Sequence, residues 1–144
     1  MSASPVSQTI TAGQTVTFTA AASGNPTPTV QWQVSTNGGN SFSNIAGATS
    51  LTLTLTNATA SQNGYVYRAV FTNSVGSATT AAATLTVQFA PTVTTNPANQ
   101  SVNAGQTATF TAAATGNPAA TVQWQVSTDG GVTYNNIAGT TSTT

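Results

Sequence analysis

Apolar residues alternate with Thr and Gln in five stretches of the first 89 residues. The alternating apolar positions are Val16, Phe18 and Ala20; Val30, Trp32 and Val34; Leu51, Leu53 and Leu55; Tyr67, Ala69 and Phe71; and Ala83, Leu85 and Val87. A period of two places each set on one face of a β-strand. Stretches rich in Gly, Asn, Pro and Ser separate the strands and are typical of turns. The pattern predicts an all-β fold of short antiparallel strands, each with one buried and one solvated face.

The same pattern occurs a second time along the chain. Residues 9–50 align without gaps on residues 101–142, an offset of 92, and 29 of these 42 positions are identical. Trp32 corresponds to Trp124 in this alignment. A period of this length matches one whole β-sandwich domain, not a short solenoid repeat. We therefore expect a complete domain over residues 1–89 and a second copy over residues 90–144.

The second copy contains counterparts of only the first strands of the repeat, up to "NIAGTTSTT". Nothing in residues 90–144 matches "LTLTLT", "YVYRAVFTN" or "AAATLTV" of the first copy. Half a sandwich exposes apolar side chains and unpaired strand edges, and such a surface favours association. The exposed set is expected to be Phe110, Val122, Trp124 and Val126. Either a second copy of the chain covers this surface, or the missing strands belong to a native continuation.

The composition excludes most kinds of catalytic and metal-binding site. Arg68 and Asp129 are the only charged residues, and the sequence has no His, Cys, Lys or Glu. The usual general bases, thiolate nucleophiles and metal-ligand sets cannot be assembled from such a chain. We expect no enzymatic activity, no cofactor and no metal. A single Arg provides no basic patch for nucleic acid, and no apolar run approaches the ~20 residues that span a bilayer.

The order of these strands resembles the immunoglobulin fold, and more narrowly the immunoglobulin-like (Ig-like) repeats of large bacterial surface and adhesin-type proteins. The stretches that carry the resemblance are "GQTVTFTAAASGNPTP" as strand B, "VQWQV" as strand C, "LTLTLTNATASQNGYVYRAVFTNSVG" as strands E and F, and "TTAAATLTV" as strand G. The resemblance implies a two-sheet sandwich in which strand B pairs with E and strand C with F. It also implies a core Trp on strand C, which is Trp32 here.

Two features of the family's core take an altered form in this sequence. The resemblance places Ala20 and Ala69 where the family has the two cysteines of its inter-sheet disulfide. Tyr67 takes the place of the strand F tyrosine, with Tyr65 as a second candidate because the spacing is one residue longer than usual. The predicted structural core is Phe18, Ala20, Trp32, Leu53, Tyr67, Ala69, Phe71 and Leu85, with Phe110 and Trp124 in the second copy.

Four polar residues outside the core allow a functional interpretation. We expect Arg68 to be an ordinary solvated side chain on the outward face of strand F, with an anion or a partner's carboxylate as the alternative. Asp129 lies in "STDGG", where Asp favours the geometry of a turn. Asn57 in "NAT" and Asn99 in "NQS" fit the glycosylation sequon, which chance also produces in a chain so rich in Thr and Asn.

Two functions remain open from the sequence. One is a structural spacer in a tandem array, because "QFAPTV" joins the copies without a Gly/Ser linker and Pro91 stiffens the connection. The other is an adhesive module that binds a protein or glycan through the loops "SGNPTP" and "NSVGS". The family resemblance implies an extracellular or cell-surface location, although "MSASPVSQTI" shows no signal peptide. The expected partners are neighbouring Ig-like repeats or other copies of the chain, and the ligand is unknown.

Overall fold

The computed structural model describes residues 2–144, which form β-strands, turns and one three-residue 3₁₀ helix (Ala60–Gln62). The chain divides into two compact units, residues 1–89 and 90–144. The first unit contains β1 (Gln8–Thr11), β2 (Val16–Thr19), β3 (Thr29–Ser35), β4 (Ser43–Asn44), β5 (Thr52–Leu55), β6 (Val66–Asn73) and β7 (Gly76–Thr79). β8 (Ala83–Thr95) begins in the first unit, and β9 (Ala113–Asn117), β10 (Gln125–Val126) and β11 (Asn135–Asn136) lie in the second. Within residues 2–144, no helix has the length and apolar character needed to cross a bilayer.

The first unit is a sandwich of two sheets. The larger sheet has the order β1-β8-β6-β3-β4, with β7 also paired to β6, and the smaller sheet is the antiparallel pair β2–β5. All seven residues of β3 pair with β6, from Thr29 opposite Thr72 to Ser35 opposite Val66. The predicted all-β Ig-like fold is confirmed, including the pairing of strand B with E and of strand C with F.

The first residues of the chain contact both sheets. Ala3 forms an antiparallel bridge with Ala21, next to β2, whereas β1 pairs in parallel with β8. Pro5 is buried between these two contacts. The Oγ of Ser7 accepts a hydrogen bond from the Thr84 backbone N–H at 2.9 Å, which fixes the start of the parallel pair. This segment therefore closes one edge of the sandwich.

The core of the first unit lies between the two sheets. All eight residues named for this core from the sequence are buried: Phe18, Ala20, Trp32, Leu53, Tyr67, Ala69, Phe71 and Leu85. Trp32 has no exposed surface, pairs across the sheet with Ala69, and donates from Nε1 to the Ser50 carbonyl oxygen at 2.9 Å. The rings of Phe18 and Tyr67 stack with centroids 5.0 Å apart. Aromatic packing and small Ala side chains thus fill the space that a disulfide would otherwise cross.

Leu51 departs from the predicted alternation. Leu53 is buried and Leu55 half-buried, but Leu51 is 56% exposed. Leu51 precedes the first paired residue of β5, so the pleat that turns Leu53 inward does not extend to it. Its backbone still contributes, because its carbonyl oxygen accepts from the N–H of Ala20 at 2.9 Å.

The stability of the first unit should fall at high pH because of Tyr67. Burial, followed by the nearby Tyr65, raises the pKa of Tyr67 from 10.0 to about 12. The folded unit therefore holds the phenolic proton more tightly than the unfolded chain does, and stability is fully present below pH 10 and lost as pH rises towards 12. A difference of this size corresponds to about 3 kcal/mol. Urea unfolding at pH 7 to 12 measures it, and Tyr67→Phe should flatten the profile. An equally steep fall in that variant would assign the effect to another group.

The second unit repeats part of the first. Gln125 pairs with Asn136 and Val126 with Asn135, which reproduces the β3–β4 register at an offset of 92. β9 pairs with β8. Residues 108–111, the counterpart of β2, form no strand. Their pairing partner would be the counterpart of β5, of which residues 90–144 contain only Thr144, the equivalent of Thr52. Without that partner the backbone hydrogen bonds of the strand cannot form.

Candidate binding surfaces

The two loops that the sequence suggested for adhesion meet at one end of the first unit. They enclose a cleft of about 370 Å³ lined by Ala22, Ser23, Asn25, Pro28, Phe71, Asn73, Val75, Gly76, Ser77 and Ala78. Asn73 joins the loops, since its Nδ2 donates to the Pro26 carbonyl oxygen at 2.7 Å. Its Oδ1 accepts from the backbone N–H groups of Val75 at 2.9 Å and Gly76 at 3.1 Å. One amide side chain therefore fixes both walls of this loop-end cleft.

The chemistry of the loop-end cleft is neutral. Its polar lining comes from amide and hydroxyl groups, and Val75 is 80% exposed at its rim. Gly24 lies behind Asn73, where a Cβ would approach Nδ2 to 3.1 Å and so disturb the amide. Such a cleft can hydrogen-bond an uncharged polar ligand, but it lacks the exposed aromatic and charged groups that anchor most binding surfaces.

Arg68 is not the solvated side chain that the sequence suggested. Its Nε donates to Oε1 of Gln33 at 2.8 Å, and its guanidinium carbon lies 3.8 Å from the centroid of the Phe42 ring. Gln33 in turn donates from Nε2 to Oδ1 of Asn44 at 2.9 Å. The prediction was wrong because Phe42, in the segment between β3 and β4, lies against the guanidinium. The only cation of the chain is thus held by an aromatic ring and an amide of its own unit.

Asp129 lies in a turn, as its sequence context indicated. Its Oδ1 accepts from the backbone N–H groups of Val132 at 3.1 Å and Thr133 at 2.9 Å, and its Oδ2 accepts from the Thr133 hydroxyl at 2.6 Å. The Ser127 hydroxyl also donates to it. These hydrogen bonds, those from Thr133 first, hold the pKa of the carboxyl well below its usual range. The carboxylate is therefore engaged in closing the hairpin.

The second unit presents an incompletely covered apolar face. Phe110 and Val126 are 44% and 45% exposed, while Val122 and Trp124 are half-buried. The segment after Ile137 contacts Trp124, whose Nε1 donates to the Ser142 carbonyl oxygen at 2.8 Å and whose backbone N–H donates to that of Thr140 at 3.2 Å. A cleft of about 470 Å³ lies here, lined by Ala108, Thr109, Phe110, Trp124, Ile137, Gly139, Thr140, Ser142 and Thr144.

Tyr134 is an exposed aromatic residue of the second unit that the sequence reasoning missed. Its side chain is 59% exposed. The alignment of the two copies could have identified it. Tyr134 is the counterpart of Phe42, whose ring contacts the guanidinium of Arg68 in the first unit.

Two sheets, antiparallel except for the β1–β8 pair, packed over a central buried Trp define an immunoglobulin-like β-sandwich domain. The family model of the immunoglobulin I-set domain matches residues 1–87 and again residues 91–137. The chain belongs to the immunoglobulin I-set family, and its two units are tandem matches to it.

Similar proteins include a bacterial enzyme and animal proteins. The chain is 48% identical over 141 residues to Endoglucanase C of Cellulomonas fimi, which covers 97% of this chain and 12% of that protein. It is 36% identical over 121 residues to Roundabout homolog 1 of Mus musculus and of Homo sapiens, covering 84% of this chain and 7% of those proteins. The chain therefore spans only a small part of these relatives.

Solved structures of tandem immunoglobulin domains are similar to this fold. The N-terminal four Ig domains of Dscam1 isoform 8.4 match with a TM-score of 0.64 and 27% identity, over 83% of this chain and 31% of that one. The tandem Ig repeats of Dlar match with a TM-score of 0.52 and 25% identity, over 62% of this chain and 45% of that one.

Proposed function

We propose that this chain is a non-catalytic spacer from a tandem-repeat protein that acts outside the cell or at its surface. The observation that supports the proposal is that both charged side chains contact groups of their own unit. Arg68 is held by Gln33 and Phe42, and Asp129 by the hairpin that contains Ser127 and Thr133. Because both side chains are engaged in these contacts, we assign them a structural role and not the binding of a substrate or the activation of a nucleophile.

The connection between the copies supports a spacer. The sequence "QFAPTV" joins the copies without a Gly/Ser linker. Proline fixes its own φ and restricts the residue before it. The match to 12% of Endoglucanase C suggests that such repeats are carried as accessory parts of larger proteins.

A chain with two complete repeats should behave as a particle of nearly fixed length. Such a chain is made by adding the sequence of residues 53–89 after Thr144, and small-angle X-ray scattering measures its maximum dimension. We expect a narrow distance distribution that is unchanged by salt, because the repeats carry almost no charge. Inserting six Gly/Ser residues between Ala90 and Pro91 should broaden the distribution. A parent as broad as this insertion variant would exclude the spacer.

The loop-end cleft supports an alternative function as an adhesive module. Its neutral amide and hydroxyl lining suits a glycan or an uncharged peptide segment, and one relative is named as a glucanase. Screening on glycan arrays separates the two functions: the spacer predicts no binding. Micromolar binding that Asn73→Ala abolishes, while Asn44→Ala on another surface does not, would establish the adhesive module instead.

A further inference from the structure

We propose that Asn37 is a site of spontaneous deamidation, a covalent modification in which its side-chain amide loses ammonia and becomes a carboxylate. Asn37 lies in the sequence "NGGN" between β3 and β4. It is not among the residues that line the loop-end cleft. Water is the only co-reactant. The modification goes beyond the spacer function and does not depend on it.

The reaction begins at the backbone nitrogen of Gly38. This nitrogen attacks Cγ of Asn37 and gives up its proton to water, and the tetrahedral centre then takes up a proton and expels Nδ2 as ammonia. The intermediate is a cyclic succinimide. Water opens the ring at either of its carbonyl carbons. Cleavage of the new N–Cγ bond gives aspartate, and cleavage of the original peptide bond gives isoaspartate, so a water molecule is consumed for each ammonia released.

The attacking nitrogen is accessible in this turn. Gly38 is exposed, and a Cβ built on it would meet no atom within 4 Å beyond its chain neighbours. In the part of the chain that the structure describes, the N–H of Gly38 donates no hydrogen bond, whereas those of Asn37 and Gly39 both donate to Oγ of Ser35. Glycine also has no Cβ to shield its nitrogen. Neither a side chain nor a competing hydrogen bond therefore blocks the attack.

The amide that is attacked is polarised by its neighbours. Its Oδ1 accepts from the Ser35 hydroxyl at 2.8 Å and from the backbone N–H of Ser41 at 3.0 Å. Negative charge develops on Oδ1 when the nitrogen attacks Cγ, and hydrogen-bond donors placed there stabilise that charge. Ser35 is buried, and its Oγ accepts from the N–H of Gly39 at 2.8 Å, which fixes the hydroxyl in position.

The second copy shows that the same turn holds a carboxylate. Asp129 is the counterpart of Asn37 at the offset of 92. The Ser127 hydroxyl and the Thr133 N–H donate to its Oδ1 at 2.7 and 2.9 Å, as their counterparts do to Asn37. The Thr133 hydroxyl donates to Oδ2 at 2.6 Å, where Nδ2 of Asn37 donates to Oγ of Ser41 at 2.8 Å. Because a hydroxyl both donates and accepts, aspartate at position 37 keeps every one of these hydrogen bonds.

The other Asn-Gly pair of the sequence, Asn63–Gly64, is protected by the fold. Both pairs are exposed, so solvent access does not distinguish them. The N–H of Gly64 donates to the Leu85 carbonyl oxygen at 2.8 Å, and Oδ1 of Asn63 accepts from the Val87 N–H at 2.9 Å. Attack by the Gly64 nitrogen requires the first hydrogen bond to break and the amide to turn away from the second. The structure therefore favours Asn37 where the sequence treats the two pairs alike.

Deamidation changes the charge of the chain. Arg68 and Asp129 balance each other, so the formal net charge is zero. A new carboxylate at position 37 makes it negative. Isoelectric focusing therefore separates the modified chain from the original one, and peptide mass spectrometry locates the change.

An Asn37→Asp chain tests whether the turn accepts the product. Since the aspartate keeps the hydrogen bonds that Asp129 makes, we expect its urea midpoint at neutral pH to equal that of the unmodified chain. A matched Asn37→Ala chain loses the side-chain hydrogen bonds of the turn and should unfold at a lower urea concentration. An Asn37→Asp chain as unstable as the Asn37→Ala chain would contradict a turn that accommodates the carboxylate.

Incubation of the folded chain at mildly alkaline pH tests the site. We expect aspartate and isoaspartate to accumulate at position 37 about ten-fold faster than at position 63, because the hydrogen bonds of Asn63 and Gly64 must open first. In urea, where these bonds are lost, the two rates should converge. Isoelectric focusing should show a more acidic form of the unmodified chain with time, whereas an Asn37→Asp chain should have that isoelectric point from the start. Equal rates at the two positions in the folded chain, or conversion at position 37 in urea alone, would overturn the proposal.

Discussion

Replacing Trp32 by Ala should destabilise the first unit by about 3–5 kcal/mol, whereas the same replacement of Trp124 should cost less. Trp32 has no exposed surface and lies at the centre of the β3–β6 pair. Truncating a buried Trp removes its transfer free energy and leaves a cavity, a loss of about 3–5 kcal/mol. A domain of this size has only about 5–10 kcal/mol of stability to lose. Trp124 keeps the equivalent indole hydrogen bond but is incompletely buried, so part of that cost is absent.

Urea unfolding followed by circular dichroism measures both variants under the same conditions. The two residues sit in nearly identical sequence, "TVQWQVST", so local propensity cancels in the comparison. We expect a large fall in the unfolding midpoint for Trp32→Ala and a small one for Trp124→Ala. Similar midpoints for the two variants would show that the cover supplied by β5, β6 and β8 is not what stabilises the indole.

Period-two alternation predicted β2, β3, β5, β6 and the start of β8, with the inward face of each except at Leu51. Each buried set places an apolar residue at every second position, and misregistering it by one residue would turn the whole set outward. The identity between copies then predicted that Trp124 would lie where Trp32 lies. The β10–β11 register confirms that the repeat is structural as well as sequential.

Features that depend on long-range packing could not be predicted in this way. The parallel pairing of β1 with β8 involves residues more than seventy positions apart, and no local pattern distinguishes parallel from antiparallel partners. Strand G is interrupted at Thr80, whose Oγ1 accepts from the Ala69 N–H at 3.0 Å in place of a backbone carbonyl. The contact of Arg68 with Phe42 joins a residue of β6 to one beside β4, with β3 between these two strands. In each case one residue could be named from the sequence, but the residue that it contacts depends on how distant segments pack.

The candidate binding surfaces could likewise be predicted only in part from the sequence. The sequence named the two loops of the adhesive alternative, but their joining through Asn73 and Pro26 depends on a 2.7 Å contact that no spacing reveals. The exposure of Phe110 and Val126 followed directly from the missing strands. The half-burial of Val122 and Trp124, which were expected to be exposed, did not; the contacts of Trp124 with Thr140 and Ser142 depend on how the end of the chain packs.

Completing the second unit in cis should convert it into a second cooperative domain. Adding the sequence of residues 53–89 after Thr144 supplies the counterparts of β5, β6, β7 and strand G, because Thr144 corresponds to Thr52. Residues 108–111 would then gain the partner that β2 has, and Trp124 would be covered as Trp32 is. The unfolding enthalpy of a globular domain is about 0.7 kcal/mol per residue near 60 °C, so a second unit of this size should add about 60 kcal/mol.

Differential scanning calorimetry measures the added enthalpy, and tryptophan emission reports the burial of Trp124. A matched control carries the same extension with its positions equivalent to Leu53, Tyr67 and Leu85 changed to Ser, which keeps the length but removes three buried side chains. The intact extension should show the added enthalpy and a blue-shifted emission, and the control neither. An extended chain that melts with the enthalpy of the original would mean that residues 90–144 do not hold the fold of the first half of the repeat. Because the two copies share the Trp, the supporting Gln and the strand register, the first places to look for the cause would be the sequence differences between the copies, 13 of which lie among the 42 aligned positions.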